Sequence, residues 1–175
     1  MHSQLDCKTG VRRTIIRPFL PTDALEIALD PDGPDARDLA GADMAALGRY
    51  FAWGGAWGAE GGLARTVERL EPDGRARVVG AGGVVAIPGT RTGDAWILPS
   101  ALVPMYPLAV HRLARTVLAE AEARGLTRIQ TLILVGHERA RRFIRRLGFR
   151  CEGLLRRCGH NGLDRFIYAR ISEGA

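Results

Sequence analysis

The sequence predicts a mixed α/β fold, and three features of the residue order support this prediction. Three strand-like runs separated by turn formers lie between residues 63 and 98, a strand–helix–strand passage spans residues 94 to 135, and a helix and a hairpin pattern close the chain. The 175 residues are 46% apolar and 25% charged, which is typical of a globular chain. We therefore expect one domain over residues 1–175, with a flexible N-terminus over residues 1–10.

One strand and two helices are predicted before residue 52. Residues 11–18 are short, rich in β-branched side chains and ended by proline, which is typical of a strand. Thr22 or Asp23 is expected to cap a short helix over residues 24–29. Apolar residues at helical spacing predict a second helix over residues 35–51.

A glycine-rich loop is predicted to precede an antiparallel meander. Residues 53–62 contain five glycines, so the loop is expected to be mobile, and its two tryptophans either line a pocket or fill the core. Glu60 in this loop is either a catalytic base or a solvated side chain. The strands that follow are predicted over residues 63–70, 77–87 and 94–98, because short turn-rich connections join them.

Helices and strands alternate in the second half of the chain. The predicted elements are a helix over residues 108–124 ended by Gly125, a strand over 128–135, a helix over 138–147 ended by Gly148, and a hairpin of strands over 149–158 and 164–171. A right-handed crossover should place the fourth and fifth strands side by side and parallel. The fifth strand is nearly apolar on both faces and is predicted to lie in the middle of the sheet.

Arginine dominates the charge of this chain. The net charge is +6, and 24 of the 25 basic residues are arginines, whose planar guanidinium groups suit phosphate oxygens. Eight of them lie between Arg139 and Arg157, opposed only by Glu152. Two interpretations stay open, a solvated basic surface and a site for nucleotide phosphates or nucleic acid. On helical spacing, five arginines of the helix over residues 138–147 are expected to point outward: Arg139, Arg141, Arg142, Arg145 and Arg146.

Cysteine usage and hydropathy indicate the compartment. Cys7, Cys151 and Cys158 are odd in number and lack metal-ligand spacing, so we expect free thiols and no metal site. No apolar run approaches the roughly 20 residues of a membrane-spanning helix, and the first residues lack a signal-peptide pattern. We therefore expect a cytoplasmic protein with no membrane partner.

Two segments carry a recognisable pattern. The run from His137 to Gly153 resembles a stretch of GCN5-related N-acetyltransferases (GNAT proteins) that commonly reads Asn-x-x-Ala-x-x-Phe-Tyr-x-x-Leu-Gly-Phe. Residues 16–24 are similar to the opening strand and helix of the same family. The order of predicted elements also resembles that family from end to end. The resemblance implies the GNAT fold, a mixed central sheet of about seven strands with helices on both faces.

The resemblance also implies an activity and a site. In this family the fourth and fifth strands splay apart, acetyl-CoA lies in the gap as co-substrate, and the acetyl group passes to an amine of a small molecule or protein. Carried onto this sequence, the family pattern implies that acetyl-CoA lies along the segment that starts at Trp96, with backbone groups of Ile97 and Leu98 for the pantetheine arm and the oxyanion, and Leu108, Ala109 and Val110 for the pyrophosphate. Arg112 and Arg142 are candidates for binding the phosphates of acetyl-CoA. His137 and Tyr106 are candidates for proton transfer.

This sequence departs from the family pattern at three places. The phosphate-loop segment, residues 102–112, contains no glycine, Ile144 stands where the family usually has tyrosine, and His137 stands where it usually has asparagine. The segments 93–98 and 107–112 resemble GNAT-like proteins encoded by tailed phages. This narrower resemblance implies an alternative, a virion-associated structural or assembly protein with a side-chain-filled cleft and a virion or self-association partner. A basic nucleic-acid-associated module is a third, weaker alternative.

Each candidate residue also has a plainer interpretation. His137 is either a general base or a helix-capping or surface histidine, and Tyr106 either donates a proton or packs in the core. The arginines, including Arg139 and Arg141, either meet phosphate or lie on the surface. Asp94 is expected to be a turn residue at the start of the fourth strand.

Overall fold

A computed structural model describes residues 13–29, 63–71, 73–158 and 162–172, apart from the side chain of Ala28. The predicted N-terminal extension, the helix over residues 35–51, the loop over 53–62 with Glu60, and Cys7 lie outside these ranges. The described elements are β1 (Thr14–Pro18), α1 (Pro21–Ala28), β2 (Ala64–Leu70), β3 (Ala76–Ala86), β4 (Thr92–Pro99), a 3-10 turn (Val103–Met105), α2 (Pro107–Ala123), β5 (Arg128–Leu134), α3 (Glu138–Arg146), β6 (Arg150–Leu155) and β7 (Arg165–Ile171).

These elements form one mixed seven-stranded sheet, as predicted. The strand order is β1-β2-β3-β4-β5-β7-β6, and β4 and β5 are the parallel pair, whereas the other neighbours are antiparallel. The middle strand is β4, so the prediction that the fifth strand is central was wrong. Both strands are interior, and an apolar pattern on both faces does not reveal how many strands lie on each side.

Helices cover both faces of the sheet, as predicted. On one face, called the α1 face below, Ala24 and Ile27 of α1 pack with Val78, Ala81 and Leu98. On the opposite face α2 and α3 share a core with β5 and β7, which includes Val117, Leu118, Ile129, Ile144, Leu147 and Tyr168. Gly125 and Gly148 follow these two helices with φ of 91° and 88°, the left-handed conformation expected of C-terminal caps.

The start of α1 differs from its predicted start. The helix begins at Pro21, a favoured first helical residue, and Asp23 lies inside its first turn instead of before it. The Asp23 carboxylate accepts a hydrogen bond from the Leu20 N–H at 2.8 Å, while the Asp23 N–H donates to the Leu20 carbonyl at 2.9 Å. The N-cap residue is therefore Leu20, and neither Thr22 nor Asp23 occupies that position. Asp23 contributes from inside the first turn, by accepting the hydrogen bond from the Leu20 N–H.

Asp23 also ties α1 to the sheet. Arg17 of β1 donates to both carboxylate oxygens at 2.7 and 2.8 Å, and the Thr66 hydroxyl of β2 donates at 2.6 Å. Burial raises the pKa of Asp23, but the hydrogen bonds from Arg17, Thr66 and the Leu20 N–H outweigh it and hold the pKa below its usual value. Arg17 reaches Glu68 as well, at 2.8 Å. The network holds α1 against the first two strands.

Replacing Asp23 with alanine should lower the free energy of unfolding by about 3 kcal/mol, because it leaves the Thr66 hydroxyl and the Leu20 N–H without their partner and removes one of the two carboxylates that bind the part-buried Arg17 guanidinium. Urea denaturation measures this difference. Asp73→Ala, at an exposed turn, is the control and should cost less than about 1 kcal/mol. Because the folded pKa of Asp23 is lowered, the difference should be complete above about pH 4 and shrink at lower pH. An equal loss in both variants would contradict this role.

Candidate active site

A cleft opens where β4 and β5 separate. The two strands pair over three residues each, Thr92–Asp94 with Arg128–Gln130, and beyond that level no pair joins them. The space between the strands has a volume of about 1120 Å³. Pro99 at the far end of β4 has no N–H to donate, so the strand cannot rejoin a partner there. The splayed strands that the family resemblance implies are therefore present.

The exposed strand edges offer backbone groups to this cleft. In the antiparallel β3–β4 ladder the Thr92 carbonyl accepts from Ile87, and the Ser100 N–H donates to Val79. Even-numbered residues of β4 therefore direct their backbone groups at β3, and odd-numbered residues direct theirs at the cleft. The cleft-facing pair on this strand thus belongs to Ile97, whereas the backbone of Leu98 is turned toward Ala81 of β3.

The same argument applies to β5. The Val135 N–H donates to Asp164 beside β7, so odd-numbered residues of β5 point their backbone groups at β7 and even-numbered residues point theirs at the cleft. The Leu134 carbonyl already accepts from the His137 N–H at 3.0 Å. The N–H and carbonyl of Leu132 therefore face the cleft, across from the backbone groups of Ile97 on β4.

Trp96 lines the wall of the cleft without closing it. Its indole ring packs on Gly83, where a Cβ atom would lie 2.7 Å from Cζ2, and meets the ring of Phe19 edge to face at 5.4 Å. Glycine at position 83 thus makes room for the ring against the sheet. Because the ring is held against β3, the space between β4 and β5 stays open.

The start of α2 offers few backbone donors. The N–H groups of Ala109 and Val110 both donate to the Tyr106 carbonyl, at 3.1 and 3.2 Å, and Tyr106 itself donates to Val103. Pro107 has no N–H. Leu108, which is 72% exposed, is the one residue of this first turn whose N–H has no acceptor among the described residues. Of the three residues assigned to a pyrophosphate, Val110 alone lines the cleft, with its side chain buried.

A row of arginines from α3 faces the cleft. Arg139, Arg142 and Arg146 are spaced three and four residues apart, which places them on one side of the helix, and all three line the opening. They point outward from the core, as predicted, and this outward side of the helix faces the gap between the strands. Within the described ranges none of the three forms an ion pair with a carboxylate.

The other arginines of α3 and α2 behave differently. Arg141 pairs with Glu138, donates to the Tyr168 hydroxyl at 3.2 Å and lies 4.7 Å above the ring of Phe166, so it is a packed structural residue. Arg112 is exposed on α2 and does not line the cleft in the described part of the chain. Arg139 and Arg142 are thus the candidate phosphate ligands from the sequence that lie at the opening.

Among the residues that the structure describes, two titratable groups other than arginine line the cleft, one at each end. His137 follows β5 and caps α3 at the open end, where its carbonyl accepts from the Arg141 N–H. Asp94 lies at the closed end, where its Oδ1 accepts from Gln130 Nε2 at 2.9 Å. The expectation that Asp94 is a turn residue was wrong, because β4 already begins at Thr92. Sequence reasoning overlooked Gln130 and Arg165 as cleft residues as well.

Tyr106 lies away from the cleft. Its ring is 6% exposed and packs among Val67, Val79 and Leu113, with the Arg69 guanidinium 6.0 Å from the ring centre. The hydroxyl has no hydrogen-bond partner among the residues that the structure describes. The structure does not bring Tyr106 together with His137, and a proton-transfer role for Tyr106 stays a prediction.

The fold is that of GNAT acetyltransferases of known structure. The chain is similar to the NatC complex bound to Gag peptide and CoA (TM-score 0.70, 14% identity, covering 91% of this chain and 99% of that one). It is also similar to a phosphinothricin acetyltransferase of the GNAT superfamily from Sinorhizobium meliloti in complex with AcCoA (0.63, 19%, 93% and 90%) and to a GCN5-related N-acetyltransferase from Kribbella flavida (0.61, 19%, 91% and 98%).

Sequence comparison adds nothing to this structural likeness. No protein-family model matches the chain. No curated protein matches it either. The resemblance to phage-encoded proteins gains no support from these structures and stays a prediction. No helix within the described ranges is long and apolar enough to cross a membrane.

The direction of the β4 backbone predicts unequal effects of proline at two adjacent positions. Ile97→Pro removes an N–H that faces the cleft, whereas Leu98→Pro removes an N–H that bonds to β3. We expect Leu98→Pro to lower the midpoint of urea unfolding clearly more than Ile97→Pro does. Equal losses would contradict the alternation, and a larger loss for Ile97→Pro would show that it is the other way round.

Proposed function

We propose that this protein is an acetyl-CoA-dependent N-acetyltransferase that acts on an amine of a small molecule or protein. The observation that carries the proposal is the open cleft between two parallel strands. Among the described residues, the cleft-facing backbone groups of Ile97 and Leu132 along its edges and the three arginines at its side have no partner. An unpaired strand edge can bind an amide-containing chain by adding hydrogen bonds to the backbone. A pantetheine arm contains two such amides.

The chemistry of the described residues fits acetyl-CoA, with one change from the usual phosphate site. Backbone N–H groups at a helix start normally bind phosphate, but here most of them donate to the Tyr106 and Val103 carbonyls. The side chains of Arg139, Arg142 and Arg146 supply the donors instead, because guanidinium groups form strong charge-assisted bonds with phosphate. The Leu108 N–H is the backbone donor that remains.

The reaction needs a donor to the oxyanion and an acceptor for the amine proton from the protein. The amine nitrogen attacks the thioester carbonyl carbon, the carbon–sulfur bond breaks, and the amine loses a proton while the thiolate of CoA gains one. In this proposal the cleft-facing N–H of Ile97 donates to the oxyanion that forms on the carbonyl oxygen. A carboxylate or imidazole is required to accept the proton of the amine.

Asp94 and His137 lie at different depths for this proton transfer. Gln130, beside Asp94, and Leu134, beside His137, are four residues apart on β5, about 13 Å at the rise of a strand. A pantetheine arm that enters past the arginines points its thioester at the closed end. Asp94 therefore accepts the amine proton, and His137, at the mouth, lies nearer the phosphates.

Binding of acetyl-CoA is the direct test. At 100 times its dissociation constant, acetyl-CoA should raise the free energy of unfolding by about 2.7 kcal/mol, measured as a thermal shift and by calorimetric titration. Ile97→Pro should weaken this binding without unfolding the protein. If the native protein shows no stabilisation at millimolar acetyl-CoA, the proposal fails, and an assembly protein without catalytic activity becomes the better interpretation.

Removing the arginine row should weaken binding of the phosphates alone. The triple variant Arg139→Gln, Arg142→Gln, Arg146→Gln should bind acetyl-CoA at least tenfold more weakly at low salt, since each lost charge-assisted bond is worth about 1 kcal/mol or more. Its affinity for acetyl-pantetheine, which has no phosphate, should not change. Arg145→Gln, exposed on the same helix and outside the cleft, is the matched control. Equal weakening for both ligands would contradict a phosphate role.

Turnover of three variants separates the candidate proton-transfer groups. Asp94→Asn should lower kcat by roughly a hundredfold, a typical effect of losing a general base. His137→Ala should change kcat by less than about tenfold, and Tyr106→Phe should leave turnover unchanged, because the Tyr106 hydroxyl is buried away from the cleft. Release of the CoA thiol measures all three. A larger loss in His137→Ala than in Asp94→Asn would reverse the assignment.

A further inference from the structure

The opening between β4 and β5 passes through the sheet. Ala95 and Thr131 line it on the side of α2 and α3, and Trp96 and Leu132 line it on the α1 face. The arginine row of α3 lies on the first side. A second substrate can therefore enter the cleft from the α1 face and reach Asp94 at the closed end.

The strands arrange the α1 side of the cleft in rows. Asp94 and Gln130 are hydrogen-bonded at the closed end, at 2.9 Å. The next row holds Leu132 and Ile167, which are paired across β5 and β7. The last row holds Leu134, Arg165 and Leu155, which are paired across β5, β7 and β6. All of these residues line the same cleft.

Arg165 is the cation among the described residues that line this side. Its neighbours Phe166 and Tyr168 belong to the core under α3, so the alternation of β7 places Arg165 on the α1 face. The Arg165 Nε donates to the Cys158 carbonyl at 3.3 Å, and within the described ranges neither Nη group has a carboxylate partner. By contrast, Arg170 on the same strand is held by Glu122 at 2.7 Å. Arg165 thus keeps two donor groups available to a ligand.

From this arrangement we propose that Arg165 selects the acceptor, and that the acceptor is an amine with a carboxylate at the far end of an apolar spacer. The inference rests on the proposed acetyl transfer. The amine lies beside Asp94, the spacer lies on Leu132 and Ile167, and the carboxylate receives both Nη groups of Arg165, the geometry in which a guanidinium binds a carboxylate most strongly.

Strand geometry sets the length of this acceptor. Asp94 and Arg165 lie about 13 Å apart along the strands and about 10 Å apart across them. Their side chains extend toward each other and shorten this span. A chain of the length of 8-aminooctanoate fits between them, whereas 4-aminobutanoate is too short to reach both.

The experiment compares 8-aminooctanoate with octylamine, which lacks the carboxylate, and with 4-aminobutanoate. With acetyl-CoA present, the native protein should acetylate 8-aminooctanoate with a kcat/KM at least tenfold above those of the other two. Arg165→Gln should lower that value about tenfold or more and leave octylamine unchanged, and Arg165→Lys should restore part of the loss. Arg115→Gln, exposed on α2 and outside the cleft, should behave as the native protein.

Calorimetric titration of the same acceptors, without turnover, separates this inference from the proposed function. Carboxylate-dependent binding that Arg165→Gln abolishes, in a protein that acetylates no amine, would support the acceptor site and reject acetyl transfer. Acetylation of octylamine as efficient as that of 8-aminooctanoate would overturn the inference and leave acetyl transfer in place. If Arg165→Gln lowered kcat/KM equally for 8-aminooctanoate and octylamine, the role of Arg165 would be structural only, and the inference would also be overturned.

Discussion

The three residue pairs between β4 and β5 are the constraint on which the site depends. They join the two halves of the sheet at one end and leave the other end free to open. Close packing reinforces the joined end: a Cβ atom on Gly93 would lie 2.5 Å from a methyl group of Val84 and 2.8 Å from one of Leu126. Glycine at this position therefore lets β3, β4 and the end of α2 come together, and the cleft starts at the next residue.

Opening the sheet leaves backbone groups that must be satisfied. A buried N–H or carbonyl without a partner costs free energy, so the edges of Ile97 and Leu132 require water or a ligand. A strand edge that is supported by helices on both faces is already rigid, and a ligand that bonds to it loses little binding energy to ordering the protein. The shape of the cleft comes from the sheet itself.

The order of elements was predictable because each helix and strand carries its own local signal. Gly125 and Gly148 mark helix ends, and the strand boundaries fall within about three residues of those predicted. The order of the strands in the sheet was harder to predict, since the position of β7 between β5 and β6 depends on tertiary packing and not on a local sequence signal. Asp94 was misplaced because it follows a turn-rich segment, and the pairing of Thr92 with Arg128 extends β4 into that segment.

The site was only partly predictable. Helical spacing shows that Arg139, Arg142 and Arg146 share one side of α3, but not that a cleft lies opposite them. A signal for Arg165 was present, because Phe166 and Tyr168 alternate with it and mark the opposite face as core. The alternation that directs Ile97 and Leu98 to different sides needed the observed pairing with β3.

An aperture that runs through the sheet has a kinetic consequence for the proposed reaction. In that reaction the thioester and the amine would arrive from opposite faces, so neither would obstruct the path of the other. Either substrate would then be free to bind first, and either product to leave first. The acetyl group would pass directly between them inside the sheet, without a covalent acetyl-enzyme intermediate.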